Sequence, residues 1–76
     1  MKHLDYEILV PRRNNAAEEV MMSTWCAKQW GPRWDAIDNR EGLWTMFWAG
    51  PDVKPSSYRW CFDTQEHANW FALKWL

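Results

Sequence analysis

The stretch that decides the fold is SYRWCFDTQEHANWFALKWL, residues 57–76. Its first part alternates, with Tyr58, Trp60 and Phe62 on one side of an extended chain. Directly after Asp63 the spacing of the apolar residues becomes helical, at Ala68, Phe71, Ala72 and Trp75. A change of period from two residues to about 3.6 is typical of a strand that runs directly into a helix. We therefore predict a strand–helix unit against which the rest of the chain packs.

A strand and a helix are predicted in the first half of the chain. Residues 5–10 alternate between apolar and charged side chains, and Pro11 ends this strand because proline has no amide hydrogen for the ladder. A helix is predicted over residues 16–30. Asn15 is its expected N-cap, and Gly31 is expected to end it in a left-handed conformation.

The second half completes the order β-α-β-β-α. Residues 43–49 read as a strand with large apolar side chains on both faces, and residues 50–57 connect it to an antiparallel strand at 58–62. A crossover through the first helix places both helices on one face of a three-stranded antiparallel sheet. The predicted fold is therefore α+β, ferredoxin-like but without the last strand, with the first strand, 6–10, at an edge.

The first helix has apolar side chains on more than one side. Val20 and Trp30 are predicted to pack against the sheet, in a stripe of mostly small residues. For Met21, Met22 and Trp25 two interpretations stay open, the edge of the core or a surface patch for a partner.

Residues 31–42 form a polar connection with two large apolar side chains. We expect Trp34 and Ile37 to form a short turn that folds over the core as a lid. Asp35, Asp38 and Glu41 do not match the spacing of a calcium loop, and arginines flank them. A solvated loop is the better interpretation of this acidic cluster.

Length and composition indicate one domain, residues 1–76. A chain of this size is close to the limit at which one core suffices. Large side chains are the expected compensation, and the chain has eight Trp. So many Trp are difficult to bury in a small volume, and Trp is enriched at binding hot spots. The excess therefore points to an aromatic surface.

Charge and cysteine content exclude several function classes. The formal net charge is −1 and the only basic pair is Arg12-Arg13, which argues against binding to duplex nucleic acid. The first ten residues are too charged for a signal peptide, and no segment is long enough to span a bilayer. We expect a cytoplasmic protein whose Cys26 and Cys61 are reduced thiols.

No catalytic, cofactor or metal site is predicted. Cys26, Cys61, His3 and His67 show no metal-ligand spacing, and both cysteines are expected to be small buried side chains. A Cys61–His67 nucleophilic pair is rejected because the two would lie on opposite sides of the sheet. The glycines are isolated, so there is no phosphate-binding loop. We expect a protein without enzymatic activity.

One constellation is predicted on the open face of the sheet. In this prediction Thr45 and Phe47 of the strand over residues 43–49 face the helices. The residues that alternate with them then lie on the open face of the sheet, together with residues of the neighbouring strands. The predicted partner-binding residues are Trp44, Met46, Trp48, Arg59, Glu7 and Leu9. In the alternative interpretation the phase is inverted, so that Trp44 and Trp48 belong to the core.

Two parts of the chain resemble small uncharacterised proteins of tailed bacteriophages. One is Trp25-Cys26 late in the helix, followed by Gly31, Trp34 and the Trp- and Phe-rich strand. The other is the closing run over residues 59–75, which includes Asp63, Glu66, Ala68 and FALKW at 71–75. The family has no assigned activity. The resemblance implies a small viral protein in a bacterial cytoplasm, a class that often acts by binding host or viral proteins.

The expected function is therefore that of a small phage accessory protein that binds a host or viral protein through an aromatic-rich surface. Two alternatives remain. An open sheet face with Trp and Arg could stack the bases of a single-stranded nucleic acid. A free first strand could pair with that of a second copy, giving a structural homodimer. Protein contact is favoured over nucleic acid because few basic residues are available to follow a phosphate backbone.

Overall fold

The computed structural model describes residues 4–12 and 15–76 and has the element order β-α-β-β-α. The elements are β1 (Tyr6–Pro11), α1 (Ala16–Trp30), β2 (Trp44–Trp48), β3 (Ser57–Phe62) and α2 (Gln65–Trp75). The predicted α+β class is confirmed. His3, which was rejected as a metal ligand, and the basic residue Arg13 lie outside the described residues.

Local capping explains where the two helices begin and end. The side chain of Asn15 accepts a hydrogen bond of 2.9 Å from the backbone N–H of Ala17 at the start of α1. Gly31 ends α1 with φ of 86°, a conformation that glycine adopts without steric penalty. At α2, the Thr64 hydroxyl accepts from the backbone N–H of His67 at 3.1 Å. The predicted bounds of α1 and its Asn15 cap are thus confirmed. Gly31 has a positive φ as expected, but its ψ of −170° lies outside the left-handed helical region that was predicted.

The strands form one antiparallel sheet in the order β1-β3-β2, with β3 in the centre and β1 at an edge as predicted. Opposite residues of antiparallel strands lie on the same face of a sheet. Trp60 lies between Ile8 and Met46, and Phe62 lies between Tyr6 and Trp44. The register therefore fixes the face of every strand residue.

Both helices cover the face that carries Trp60 and Phe62. The Phe71 ring of α2 stacks on Trp60 with 4.9 Å between centroids, and Trp60 also stacks on Trp44 at 6.2 Å. The fully buried cluster consists of Val10, Met22, Cys26, Trp44, Trp60, Phe62, Ala68 and Phe71. Each buried aromatic removes on the order of 150–250 Å² from water. Aromatic side chains thus supply most of the core of this small domain.

The predicted phase of β2 is wrong. Trp44 lies opposite Phe62 and Met46 opposite Trp60, so these residues share the helix-covered face, while Phe47 lies on the open one. Both faces of this strand are apolar, so its own sequence satisfies either phase. The connection to β3 sets the register, and a shift of one residue exchanges the two faces.

The buried side of α1 also differs from the prediction. Val20 is exposed, whereas Met22 and Cys26, four residues apart, are fully buried. Trp25 and Trp30 are partly buried and pack against the core, whereas Met21 is exposed. The buried stripe thus runs through Met22 and Cys26, because residues four apart lie on one face of a helix and this face packs on the aromatic core cluster.

The connection of residues 31–42 packs along the outer edge of β2. The backbone N–H of Trp34 donates to the carbonyl of Trp44 at 2.7 Å, and the Arg33 guanidinium donates to the carbonyl of Met46. A Cβ at Gly42 would clash with the backbone of Trp34, so this contact requires glycine. Trp34 is half-buried, but Ile37 is 89% exposed, and the lid predicted from Ile37 is wrong.

Neither helix in the described part of the chain is long and apolar enough to cross a membrane.

Candidate functional site

The face of the sheet opposite the helices forms the candidate site, here called the open sheet face. Two rows of side chains run across the strands there, and a third pair lies at one end. The rows are Glu7–Cys61–Thr45 and Leu9–Arg59–Phe47, and the pair is Pro11–Ser57. No helix packs on this face in the described ranges 4–12 and 15–76, because the core residues of both helices lie on the other face.

The row Leu9–Arg59–Phe47 combines two exposed apolar groups with a central cation. Leu9 is 49% exposed and Phe47 is 45% exposed, and they flank Arg59 on its two sides. The Arg59 Nη1 donates to the Glu7 Oε2 at 3.1 Å. This pair is partly exposed, so it contributes about 0–1 kcal/mol to stability. Its main effect is to hold the guanidinium on the sheet between the two apolar side chains.

The other row is closed at its β2 end by the connection of residues 31–42. The buried Thr45 hydroxyl accepts from the Arg33 Nε at 3.0 Å and donates to the Trp34 carbonyl oxygen at 3.3 Å. Both hydrogen-bonding functions of Thr45 are therefore satisfied within the fold. The accessible part of the open sheet face is consequently the row centred on Arg59.

Both cysteines are buried free thiols, as predicted. Burial raises the pKa of Cys26 to about 12. Burial, together with the nearby Glu7 carboxylate, raises the pKa of Cys61 to about 11, although Arg59 acts in the opposite direction. A neutral, buried thiol is a poor nucleophile and a poor metal ligand. Cys61 therefore acts as a small packing residue beneath the charged pair.

The six residues predicted for partner binding are divided between the two faces. Arg59, Glu7 and Leu9 lie on the open sheet face as expected. Trp44 is only 2% exposed and its indole N–H donates to the Gly31 carbonyl at 2.8 Å, so the expectation that it lies on the surface is wrong.

Met46 and Trp48 also face the helix side. Met46 is half-buried against the core, and Trp48 is exposed only because it lies at the end of an edge strand, beyond the packed part of the sheet. The Trp48 indole N–H donates to the Ser56 hydroxyl at 3.3 Å. The structure thus does not bring Trp44, Met46 and Trp48 together with Arg59.

Phe47 is the residue of this surface that the sequence interpretation missed. It takes the place on the open face that was assigned to its neighbours Met46 and Trp48. The signal that could have identified it is the pairing with β3. Once Trp60 is assigned to the core, any pairing that sets Met46 opposite Trp60 turns Phe47 outwards.

The remaining polar clusters form local structure. The Asp35 carboxylate accepts from the backbone N–H groups of Asp38 and Ile37, and these bonds lower the pKa of Asp35. Cys61 lies on the open face, whereas His67 stacks on Trp30 on the helix side, so they do not form a pair. In the part of the chain that the structure describes, no three His, Cys, Asp or Glu residues are placed to hold a metal ion.

Comparison with known proteins gives no relative for this chain: no family model, curated protein or solved structure matches it.

Proposed function

We propose that this chain is a small non-enzymatic accessory protein that binds another protein through the open sheet face. The binding residues in this proposal are Leu9, Phe47 and Arg59, with Glu7 as the group that positions the guanidinium. The observation that carries the proposal is the row of two half-exposed apolar side chains around one arginine, on a sheet face that neither helix of the described residues covers.

The chemistry of this row fits a protein partner. Apolar side chains around an arginine are typical of the central part of protein interfaces, where Arg and aromatic residues are enriched. A guanidinium has five N–H donors, and the bond to Glu7 uses only one of its nitrogens. The others are available to carbonyl or carboxylate oxygens of the partner. We therefore expect a partner surface with an apolar patch next to a hydrogen-bond acceptor.

The same row supports stacking of nucleic-acid bases less well. Base stacking needs aromatic platforms and cations that follow the phosphates. Among the strand residues that the structure describes on the open sheet face, Phe47 is the aromatic one, and the cation of its row, Arg59, already has a carboxylate partner. A protein is therefore the better-supported partner.

The resemblance to tailed-phage proteins extends the proposal to a biological setting. In this proposal the protein is made in an infected bacterium and acts in the host cytoplasm on a host or viral protein. The resemblance carries no functional residue, so the assignment of Leu9, Phe47 and Arg59 depends on the geometry alone.

Affinity capture with matched variants tests the proposal. The immobilised wild-type protein, the double variant Leu9→Ala/Phe47→Ala and the control Ile37→Ala are each exposed to the same bacterial lysate, without and with phage infection. Ile37 is an exposed apolar residue of the 31–42 connection, outside the open sheet face. Removal of a hot-spot side chain weakens binding by about 2 kcal/mol or more, about thirtyfold in Kd.

We expect the same proteins to be captured by the wild type and by Ile37→Ala, and to be lost with the double variant. Equal yields with all three proteins would contradict the proposal. Light scattering of the purified protein is the companion measurement, because β1 is a free edge that a second copy could extend. A dimer that the double variant dissociates would replace the proposed partner by a second copy of the chain.

A further inference from the structure

A second surface lies on the helix side, away from the open sheet face. In the described part of the chain, two pockets that share Trp70 lie between the second half of α1 and the outer side of α2. One of them is a cavity of about 240 Å³, here called the Trp30–Trp70 cavity. It is lined by Trp30, Glu66, His67 and Trp70.

The aromatic walls of this cavity are held in place by the core. The Trp30 and His67 rings lie 4.9 Å apart at an angle of 32°. Trp30 also makes edge-to-face contacts with Trp25, at 5.3 Å, and with Phe62, at 5.5 Å. Trp70 also lines the cavity and is 56% exposed. The Trp30 side of the cavity is thus held by ring contacts, and the Trp70 side is accessible. A ligand would not have to order the Trp30 side when it binds.

Glu66 gives the lining of this cavity a negative charge, whereas Lys74 lines the neighbouring pocket on α2. The His67 Nδ1 lies 2.7 Å from the Asp63 Oδ1, so this carboxylate already has a partner. Among the residues that the structure describes, no Lys, Arg or His lies within ion-pair distance of Glu66. The amino end of α2 would by itself favour an anion, but Asp63 and Glu66 place two carboxylates there. Glu66 is therefore a charge that a bound cation would complement.

The size of the cavity limits the ligand. Sites for drug-sized ligands occupy about 300–1,000 Å³, and this cavity is smaller. Its volume suits a small ligand or a single side chain of a larger one. An exposed indole next to a carboxylate, as Trp70 and Glu66 are in this lining, can recognise an organic cation through the negative face of the ring and the opposite charge.

We propose that the Trp30–Trp70 cavity binds an organic cation, either a methylated ammonium group or a guanidinium, with Trp70 as the aromatic contact and Glu66 as the counter-ion. This site is separate from the proposed protein-binding face and would recognise a single cationic side chain or a small quaternary ammonium compound.

Titration of the indole N–H resonances by NMR tests this proposal. The probes are tetramethylammonium chloride and N-acetylarginine amide, with tert-butanol as the neutral control and sodium chloride as the control for ionic strength. We expect saturable shifts of the Trp30 and Trp70 resonances by at least one cation, with Kd on the order of millimolar. The two controls are expected to give no saturable shift of these resonances.

Three variants assign the binding to the named groups. Trp70→Leu should raise Kd by about fivefold or more, and Glu66→Gln by about two- to fivefold. Trp48→Leu is the matched control, because Trp48 is 54% exposed, as Trp70 is, but lies on the sheet. It should leave Kd unchanged. All three side chains are exposed, so we expect folded variants, and thermal unfolding checks this.

The absence of a saturable shift with both cations, or an equal shift with tert-butanol, would overturn the proposal. Weakening by Trp48→Leu as large as that by Trp70→Leu would also overturn it. Neither result would affect the proposed function of the open sheet face, which depends on different residues.

Discussion

Arg59 shows how one residue of the central strand connects packing with the candidate site. Its neighbours along β3, Trp60 and Tyr58, face the helices, while Arg59 itself lies between Leu9 and Phe47 on the other side. The ion pair with Glu7 is partly exposed and contributes little to stability. Replacement of Arg59 should therefore affect binding more than folding.

The buried thiols give a prediction for the dependence of stability on pH. The pKa of Cys26 is raised from 9.0 to about 12 by burial, so the folded state keeps this proton at a pH where the unfolded state releases it. The unfolded state then binds fewer protons, and the free energy of unfolding falls as the pH rises above about 9. This contribution is complete below pH 9 and is lost as the pH approaches about 12.

Urea unfolding of the wild type and of Cys26→Ala, at several pH values between 8 and 10.5, measures this effect. The alanine variant is less stable at pH 8 because it leaves a cavity. We expect the difference in unfolding free energy between the two proteins to become smaller as the pH rises. A difference that stays constant over this range would contradict the assigned burial of the Cys26 thiol.

Single residues were predicted well where one property decided their place. Asn15 and Gly31 are recognised by capping chemistry, and Trp60 and Phe62 by strict alternation. Val20 was misplaced because Met22 and Cys26 satisfy a helical period equally well. Only the shape of the facing sheet decides between the two stripes, and a sequence does not contain that shape.

At the scale of elements, the strand–helix unit of β3 and α2 organises the domain. β3 pairs with both other strands, and α2 covers it directly through Phe71, which contacts Trp60 and Phe62. The two elements are separated only by Asp63 and Thr64, and Thr64 caps α2. A substitution that weakens the Thr64 cap would therefore destabilise α2, the helix that covers the core.

Thr64→Ala is expected to destabilise the protein by about 1 kcal/mol, since loss of an N-cap side chain costs about 0.5–2 kcal/mol. For a domain of this size that corresponds to a fall in Tm of roughly 4–8 °C. Thr24→Ala, in the exposed middle of α1, is the matched control. It should leave Tm unchanged or raise it slightly, because alanine has the higher helix propensity. Equal losses for both variants would show that the Thr64 cap does not hold α2.

The elements themselves were predictable because each carries its own local signals. Their order, the strand order and the bounds of α1 agree with the prediction. The phase of β2 was not predictable from Trp44–Trp48 alone, since Trp44, Met46 and Trp48 alternate with Thr45 and Phe47 without a polar face. Pairing with β3 supplies the missing information, and it comes from contacts distant in sequence.

At the scale of the whole molecule, the helices divide the sheet into a covered aromatic face and an open one. The Trp residues that suggested a binding surface mostly form or border the core, as Trp44 and Trp60 do. Trp48 and Trp70 remain exposed, at the sheet edge and on α2. The proposed partner surface is therefore the row Leu9–Arg59–Phe47, which is smaller than the aromatic surface expected from the Trp content. The exposure of this row depends entirely on the division of the sheet into two faces.

Hydroxyl-radical footprinting with tryptic mass spectrometry measures the division directly. Cleavage gives one peptide over residues 41–59 and another over 60–74. The first contains buried Trp44 and exposed Trp48, and the second contains buried Trp60 and exposed Trp70. Each peptide thus compares two residues of the same type and intrinsic reactivity.

We predict rapid oxidation of Trp48 and Trp70 and strong protection of Trp44 and Trp60 in the native protein, with the protection lost in urea. Oxidation of Trp44 at the rate of Trp48 would contradict the account, because it would place Trp44 on the open face and Phe47 under the helices.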